Sequence, residues 1–347
     1  MSLVRCRDEP RGPIRQNRTG NFGGLYVVTK LEWEPYKVGK PSTQSNWTND
    51  DCRPFDEVSH VSHVDSAVRI VLDDRIRQSL VFDESVLNRR RILVTWLSPN
   101  DWNDGFRYGN VRFTYRFADL IKGMQFYWVE AITAYNPTAC RILITDQDRS
   151  RTLKPYDPAA ATGPWWHDQA TDTHYRNGKL CLEFMLEADL PLRRVRHIDF
   201  VSHHSDWCSV HRGAPRKCAE LGLPSGKGGA KFLAAAAARG IDLSALMKRF
   251  ADDDETAKLP YRMRPALNYL ARGLHKVDFQ SLIKAESATG KAVARALLAA
   301  LATGNDDEAK LLAAMFKSDE CTLLAVALVV SETLGWNSED IYKAISD

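Results

Sequence analysis

Residues 59–76 read SHVSHVDSAVRIVLDDRI, and the hydrophobic period changes within this stretch. Over its first half, valines are interleaved with serines and histidines, which we interpret as a short half-buried strand. Apolar residues then recur at helical spacing from Ala67 to Val71, and Asp65 and Ser66 are residue types that cap helices. The stretch therefore predicts a short strand that leads directly into a helix, whose first turn lies near Asp65 and Ser66.

Polar side chains are concentrated at this predicted junction, namely those of His60, Ser62, His63 and Ser66. The N terminus of a helix presents backbone N–H groups and the positive end of the helix dipole, both of which favour anions. The junction is therefore a candidate pocket for a sugar or a phosphate. The alternative is a surface strand whose serines and histidines face water.

The junction also resembles a segment of the DarT-type DNA ADP-ribosyltransferases, which reads His-Ile-Thr-His-Ile-Asp-Asn-Leu and continues with Ile-Leu and a turn. The matching run here is HVSHVDSA, from His60 to Ala67, followed by Ile-Val and an Asp-Asp turn. In that family the first His and the Thr hold the nicotinamide end of NAD, and the resemblance assigns this role to His60 and Ser62. This chain has Ser62 for Thr and Ser66 for Asn, so Ser66 lacks the amide. The resemblance covers roughly residues 24–145.

Glu130 is the single carboxylate in the apolar, strand-like run FYWVEAI. ADP-ribosyltransferases place their catalytic Glu on a late strand, after the His motif, and the order of His60 and Glu130 here is similar. Cleavage of the nicotinamide–ribose bond creates an oxocarbenium-like centre, which a nearby carboxylate stabilises. Glu130 could also deprotonate the acceptor. The alternative is an edge-strand glutamate that opposes aggregation.

Arginine suits the phosphates of NAD because its planar fork matches phosphate oxygens. Five candidate arginines lie between the His motif and the middle strand, namely Arg75, Arg77, Arg89, Arg90 and Arg91. Of these, Arg75 and Arg77 follow the predicted helix most closely. Trp96 and Tyr108 supply ring faces that can stack on a base. The alternatives are solvated surface arginines and aromatic side chains in the core. The predicted NAD-binding residues are His60, Ser62, His63, Ser66, Arg75, Arg77, Trp96 and Tyr108.

A second cluster is rich in histidine and cysteine and lies within residues 203–218. Four of its side chains are of the types that bind zinc: His204, Cys208, His211 and Cys218. A structural zinc ion is one interpretation of this segment. The other is a loop that carries reduced cysteines.

The composition is that of an ordinary globular protein, with 347 residues and a formal net charge of only +3. Seven scattered cysteines indicate reduced thiols in a cytoplasmic protein. We find no transmembrane segment and no secretory signal, so no membrane partner is expected. Arginines recur in residues 1–22, which we interpret as a basic arm that either contacts phosphates or is simply solvated.

The predicted fold class is α+β. By resemblance, residues 23–222 form an ADP-ribosyltransferase-like domain of split antiparallel β-sheets, and Ala/Leu-rich helices form an all-α domain over residues 230–347. The boundary is expected at residues 222–230. Predicted strands cover residues 24–29, 92–97, 110–117, 126–132, 140–145, 180–186 and 195–201, and predicted helices cover residues 118–122, 231–239, 242–250, 292–301 and 308–316.

The function implied by the resemblance is an NAD-consuming ADP-ribosyltransferase that modifies a nucleic-acid base, in a toxin or phage-defence role. The helical domain would bind a target, a partner or an inhibitory protein. Two other functions stay open. One is a zinc-dependent nucleic-acid enzyme centred on residues 203–218, and the other is a non-enzymatic nucleic-acid-binding protein that uses the basic arm and the helices.

Overall fold

The structure is a computed structural model of the chain. It describes residues 52–81, 85–100, 108–109, 111–132, 137–160, 163–200, 226–244, 288–316, 319–335 and 337. The predicted basic arm and the predicted strand over residues 24–29 lie outside the described residues, as does most of the predicted helix over residues 242–250.

The described residues form two compact units whose segments alternate along the chain. The first unit holds residues up to His60, together with those of 76–101 and 114–190. The second holds those of 61–75 and 102–113 and everything from Pro191 onward. The predicted boundary at residues 222–230 does not coincide with this division, because the helix that follows His63 belongs to the second unit.

Strands and helices both occur in the described chain, and the predicted α+β class is confirmed at that level. The strands are β1 Cys52–Phe55, β2 Glu57–Ser62, β3 Arg75–Ile76, β4 Thr95–Leu97, β5 Val111–Arg116, β6 Gln125–Ile132, β7 Ala139–Thr145, β8 Lys154–Pro155, β9 Trp165–Asp168, β10 Thr173–Asn177, β11 Cys181–Leu186, β12 Leu190–Pro191 and β13 Val195–Phe200. The helices are α1 Val64–Asp73, α2 Val86–Arg89, α3 Phe117–Ile121, α4 Gly226–Arg239, α5 Ala288–Thr303, α6 Asp306–Ala314 and α7 Asp319–Leu334.

A five-stranded sheet of order β4-β11-β7-β6-β8 organises the first unit. β7 and β11 are buried along their whole length, so they read as almost continuous apolar runs. β6 is antiparallel to β7, whereas β11 is parallel to it. The prediction of antiparallel sheets alone was therefore incomplete, and the parallel pair fits the burial of β7 and β11 on both faces.

One face of this sheet carries the apolar core of the first unit. Tyr127, Leu143 and Met185 come from the three neighbouring strands β6, β7 and β11 and pack in one cluster. Leu87 of α2 and Val94 pack on the same cluster. This core fixes the sheet that carries the polar residues described below.

A smaller sheet of order β1-β10-β9 carries an aromatic cluster, also in the first unit. Trp165 of β9 and His174 of β10 pack against Phe117 of α3, and Phe117 in turn stacks on Phe184 of β11 with ring centroids 4.6 Å apart. Aromatic packing thus joins this sheet to the five-stranded sheet.

The second unit is built around the helices. α4 is buried on all sides from Phe232 to Ala237, because α1, α5 and α7 all pack against it. Its run of alanines allows these neighbouring helices to approach closely. The described residues after residue 225 are mainly helical, as predicted for this part of the chain.

The two remaining sheets have the strand orders β13-β5-β2 and β12-β3. Strand β2 runs directly into α1, as the change of hydrophobic period predicts. Within the described parts of the chain, no helix is long and apolar enough to cross a membrane.

Candidate functional site

His60 lies beside the end of strand β4. The backbones of Ser59 and Ser98 exchange two hydrogen bonds, of 2.8 and 3.0 Å, and this bridge brings β2 next to β4. The Nδ1 atom of His60 lies 2.9 Å from the carbonyl oxygen of Trp96. Because a carbonyl oxygen only accepts, Nδ1 carries the proton and donates. Nε2 is then the nitrogen with the lone pair.

The environment of His60 favours the neutral ring. Burial lowers the pKa of His60 from its usual 6.5, and the hydrogen bond to the Trp96 carbonyl only partly opposes this effect. Part of the residue remains accessible, since His60 is half-buried rather than buried. At neutral pH, His60 therefore offers a hydrogen-bond acceptor, Nε2, of the kind that a sugar hydroxyl needs.

The ring of Trp96 links His60 to a buried arginine. The guanidinium carbon of Arg141 lies 4.7 Å from the centroid of the Trp96 ring, a cation–π distance. Trp96 therefore contacts His60 through its backbone and Arg141 through its side chain. All three residues belong to the first unit.

Arg141 is held between two carboxylates. Its Nη1 donates to Oε1 of Glu130 and its Nε donates to Oε2 of Glu183, each at 2.8 Å. The strand register explains this geometry, because Glu183 of β11 and Glu130 of β6 both lie directly opposite Arg141 of β7. The three side chains are buried.

A β-bulge in β6 brings Glu130 to this position. The register shifts between Trp128 and Glu130, so Val129 is an extra residue in the strand. Without the bulge, Val129 would lie opposite Arg141, and Glu130 would lie opposite Cys140 on the other face. Bulges re-aim side chains in this way at functional sites.

The group of two carboxylates and one guanidinium carries a formal net charge of −1. Burial and then the charge of Glu183 raise the pKa of the nearby Cys140 thiol to about 12. Among the described residues, only Arg141 makes a hydrogen bond to Glu130, and it does so through Oε1. We call His60, Trp96, Arg141, Glu130 and Glu183 the polar row.

Ser62 and His63 lie in the second unit, at the start of α1. The helix begins at Val64 and its N-cap is His63, whose Nδ1 accepts a hydrogen bond of 3.3 Å from the backbone N–H of Asp65. The first turn of the helix contains Asp65 and Ser66, as the sequence predicts, but the cap is His63 rather than either of these two residues. The Asp65 carboxylate lies 3.6 Å from the same nitrogen, too far for a hydrogen bond.

The first amide groups of α1 already have acceptors. The N–H groups of Ser66 and Ala67 both donate to the carbonyl of His63, at 2.9 and 2.8 Å. The Asp65 N–H also donates to His63, so three backbone donors that were expected to bind a phosphate or a sugar already have an acceptor at the start of the helix. Ser66 is exposed and lies in the first turn of α1.

Gly109 approaches the Ser62–His63 peptide closely and so places the neighbouring Tyr108 near the start of α1. Gly109 has φ of +142°, and a Cβ added there would lie 2.1 Å from the carbonyl carbon of Ser62. Only glycine allows the backbone to approach the Ser62–His63 peptide so closely. The second unit therefore holds Ser62, His63 and Tyr108 close together.

Arg75 and Arg77 are exposed and lie in or just after β3. Arg75 follows the C-terminal end of α1, a helix of ten residues, which is roughly 15 Å long. It therefore lies at the end of the helix opposite to His63. Their predicted role in binding NAD phosphates stays a prediction.

Arg141 and Glu183 were missed by reasoning from the sequence. Both interrupt otherwise apolar strands, ACRILIT and CLEFML. A charged residue inside a strand that is apolar on both faces must find a partner, because an unpaired buried charge is costly. That signal was present, but it did not reveal which partners the charges find.

The predicted zinc ligands His204, Cys208, His211 and Cys218 lie outside the described residues. Within the described part of the chain, no group of three or more histidine, cysteine, aspartate or glutamate side chains could hold a metal ion. Cys52, Cys140, Cys181 and Cys321 are the cysteines that the structure describes, and none of these four is in a disulfide.

The polar row thus combines an acceptor nitrogen, an aromatic ring and a carboxylate within one unit. Comparison of the chain with protein-family models, with curated proteins and with solved structures gives no match.

Proposed function

We propose that the protein is an ADP-ribosyltransferase that cleaves NAD and transfers ADP-ribose to a nucleic-acid base. The observation that carries this proposal is the chain of contacts from His60 through Trp96 and Arg141 to Glu130. It connects the two residues to which the sequence resemblance assigns the chemistry, although they are separated by 70 positions in the sequence.

The reaction breaks the bond between the ribose anomeric carbon and the nicotinamide nitrogen. The electron pair of that bond leaves with nicotinamide and neutralises its positive charge, while positive charge develops on the sugar. A lone pair of the acceptor then forms the new bond to the anomeric carbon, and the acceptor's proton passes to a carboxylate oxygen of Glu130.

The charge of the polar row suits this reaction. Its formal net charge of −1 favours both the cationic nicotinamide ring and the positive charge that develops on the sugar. Burial strengthens this effect, because electrostatic interactions are less screened away from water. The neutral His60 can accept a hydrogen bond from a ribose hydroxyl at Nε2 without adding a competing positive charge.

The acceptor and the partners follow from the sequence resemblance. A nucleic-acid base as acceptor must be unstacked or single-stranded before it can react. We assign the helices of the second unit to binding a target or an inhibitory protein, in a toxin or phage-defence role. The four described cysteines carry no disulfide, which fits a reducing, cytoplasmic setting.

The decisive experiment incubates the purified full-length protein with NAD labelled in its adenine. Nicotinamide release is measured together with transfer of label to single-stranded DNA, to RNA and to protein. We expect label on nucleic acid, and we expect Glu130→Gln to lower both signals to a small but measurable residual rate. Glu187→Gln is the matched control, because Glu187 follows β11 directly but pairs with Arg149 instead of Arg141.

Two results would contradict the proposal. One is wild-type protein that releases no nicotinamide with any acceptor. The other is an activity that survives Glu130→Gln but disappears with a chelator, which would instead support the zinc-dependent enzyme.

A further inference from the structure

We propose that Arg141 is a positioning residue that holds the Glu130 carboxylate by one oxygen, so that the other oxygen, Oε2, meets the substrate. The inference rests on the proposed function. Arg141 lies on β7, between the two strands that carry the carboxylates, and we assign it no contact with NAD.

The contacts of Arg141 fix its guanidinium on several sides. Glu183 accepts from Nε, Glu130 accepts from Nη1, and the Trp96 ring covers the group at 4.7 Å. The side chain is only 1% exposed. A planar group held in this way has little freedom to turn, and the oxygen that it binds is fixed as well.

Two carboxylates on one guanidinium explain why an arginine occupies this position. The fork donates in two directions at once, so one side chain can bridge β6 and β11 across β7. A lysine would supply the charge at one point but could not reproduce both directions. Substitution by lysine therefore separates the charge of Arg141 from its geometry.

Glu183 completes the arrangement by holding the opposite edge of the guanidinium. It lies opposite Arg141 in the parallel β7–β11 pair, while Glu130 lies opposite Arg141 in the antiparallel β6–β7 pair. Loss of Glu183 would leave Arg141 free to shift toward Glu130, with the same effect on Oε2. Glu183→Gln is therefore a second route to the same test.

The experiment measures kcat and KM for nicotinamide release in Arg141→Lys, Glu183→Gln and Glu130→Gln, and in the double variants that combine each of the first two with Glu130→Gln. We expect Arg141→Lys to lower kcat on the order of 10²-fold, the effect of a small misplacement of a reacting group, with little change in KM. In the Glu130→Gln background, Arg141→Lys should cause no further loss, because Arg141 acts through Glu130.

Arg149→Lys is the matched control, since Arg149 pairs with Glu187 just beyond the ends of β7 and β11, away from the polar row. It should leave kcat and KM unchanged. If Arg141→Lys does not fold, Glu183→Gln and its double variant give the same comparison, because glutamine keeps the size of the side chain but removes the charge that holds Arg141.

Additive losses in the double variants, or a loss confined to KM, would overturn the positioning role while leaving the proposed function intact. A wild-type protein that releases no nicotinamide would overturn the proposed function and this inference with it. An equal loss in Arg149→Lys would show that the effect is a general one on the sheet and would also overturn the inference.

Discussion

His60 and His63 are three residues apart in the sequence, yet their hydrogen bonds fix opposite tautomers. His60 donates from Nδ1 to a carbonyl, so its Nε2 is an acceptor. His63 accepts at Nδ1 from a backbone N–H, so the proton of its neutral ring is on Nε2. Of the two neutral rings, only His60 presents an acceptor at the outer nitrogen.

This difference gives a residue-level prediction for His60. In His60→Asn, the side-chain amide can still donate to the Trp96 carbonyl, but no acceptor remains at the place of Nε2. We expect the melting temperature to stay near that of the wild type, and kcat/KM for nicotinamide release to fall on the order of 10²-fold.

His60→Ala, which loses both the donor and the acceptor, should lower stability and activity together. Full activity in His60→Asn would remove the Nε2 atom from the proposed mechanism.

His174 gives a second prediction at this scale, concerning pH. It is 7% exposed, and its Nδ1 makes no hydrogen bond among the described residues. Burial, followed by the stacked His167 ring, lowers the pKa of His174 from 6.5 to about 4, while Asp172 and Asp56 partly oppose the shift. The folded state therefore favours the neutral ring more than the unfolded state does.

The sign of the pH effect follows from that difference. The contribution of His174 to the free energy of unfolding is fully present above pH 6.5. It is lost as the pH falls toward 4, because the unfolded chain takes up the proton first. The shift in the pKa of His174 corresponds to at most about 3 kcal/mol in the free energy of unfolding. The free energy of unfolding, measured with denaturant at several pH values between 4 and 7, should change less steeply with pH in His174→Phe than in the wild type. The phenyl ring suits the surrounding aromatic cluster.

The slope should not disappear, because His60 contributes in the same direction. An unchanged slope in His174→Phe would mean that His174 does not resist protonation in the folded protein.

At the scale of elements, Gly109 connects two segments that local patterns do not relate. A Cβ at residue 109 would lie 2.1 Å from the backbone of Ser62. No side-chain movement can relieve this clash, because it involves backbone atoms. Gly109→Ala should therefore cost about 3 kcal/mol or more in the free energy of unfolding.

Gly123→Ala is the matched control, because Gly123 also has positive φ, +77°, but nothing lies within 4 Å of the added Cβ. It should cost only the backbone strain, about 1 kcal/mol. Equal losses in the two variants, measured by denaturant unfolding, would show that the close approach to Ser62 does not constrain the fold.

The elements also show what can be predicted from a sequence. The change from β2 to α1 was predicted because both periods are local, and α3 and most of the described strands were predicted for the same reason. The polar row depends instead on strand partners. Arg141 meets Glu183 across 42 positions, and His60 meets Trp96 across 36. No local periodicity encodes these pairings or the bulge at Val129.

At the scale of the whole molecule, the predicted domain boundary differs from the division into compact units for a related reason. The composition changes near residue 225, and that change correctly indicates where the helices of the second unit resume. It does not reveal that α1, far earlier in the chain, packs against α4 and α5. Composition reports the type of an element, whereas the unit to which an element belongs is decided by its packing partner.

This packing gives the last prediction. The buried side of α1 consists of Val64, Ala67, Val68 and Val71. A chain that ends at residue 222 lacks α4 and α5, so these side chains would lose their cover, at roughly 1.5–3 kcal/mol for each valine. We expect the shortened chain to aggregate or to leave α1 unprotected in amide hydrogen exchange, with Ser62 and His63 disordered alongside. A chain that ends at residue 337 keeps all seven described helices and is the matched control, in which α1 should stay protected. If the chain of 222 residues folds with α1 protected, the boundary predicted from composition is the true one, and α4 is dispensable for the segment that follows His60.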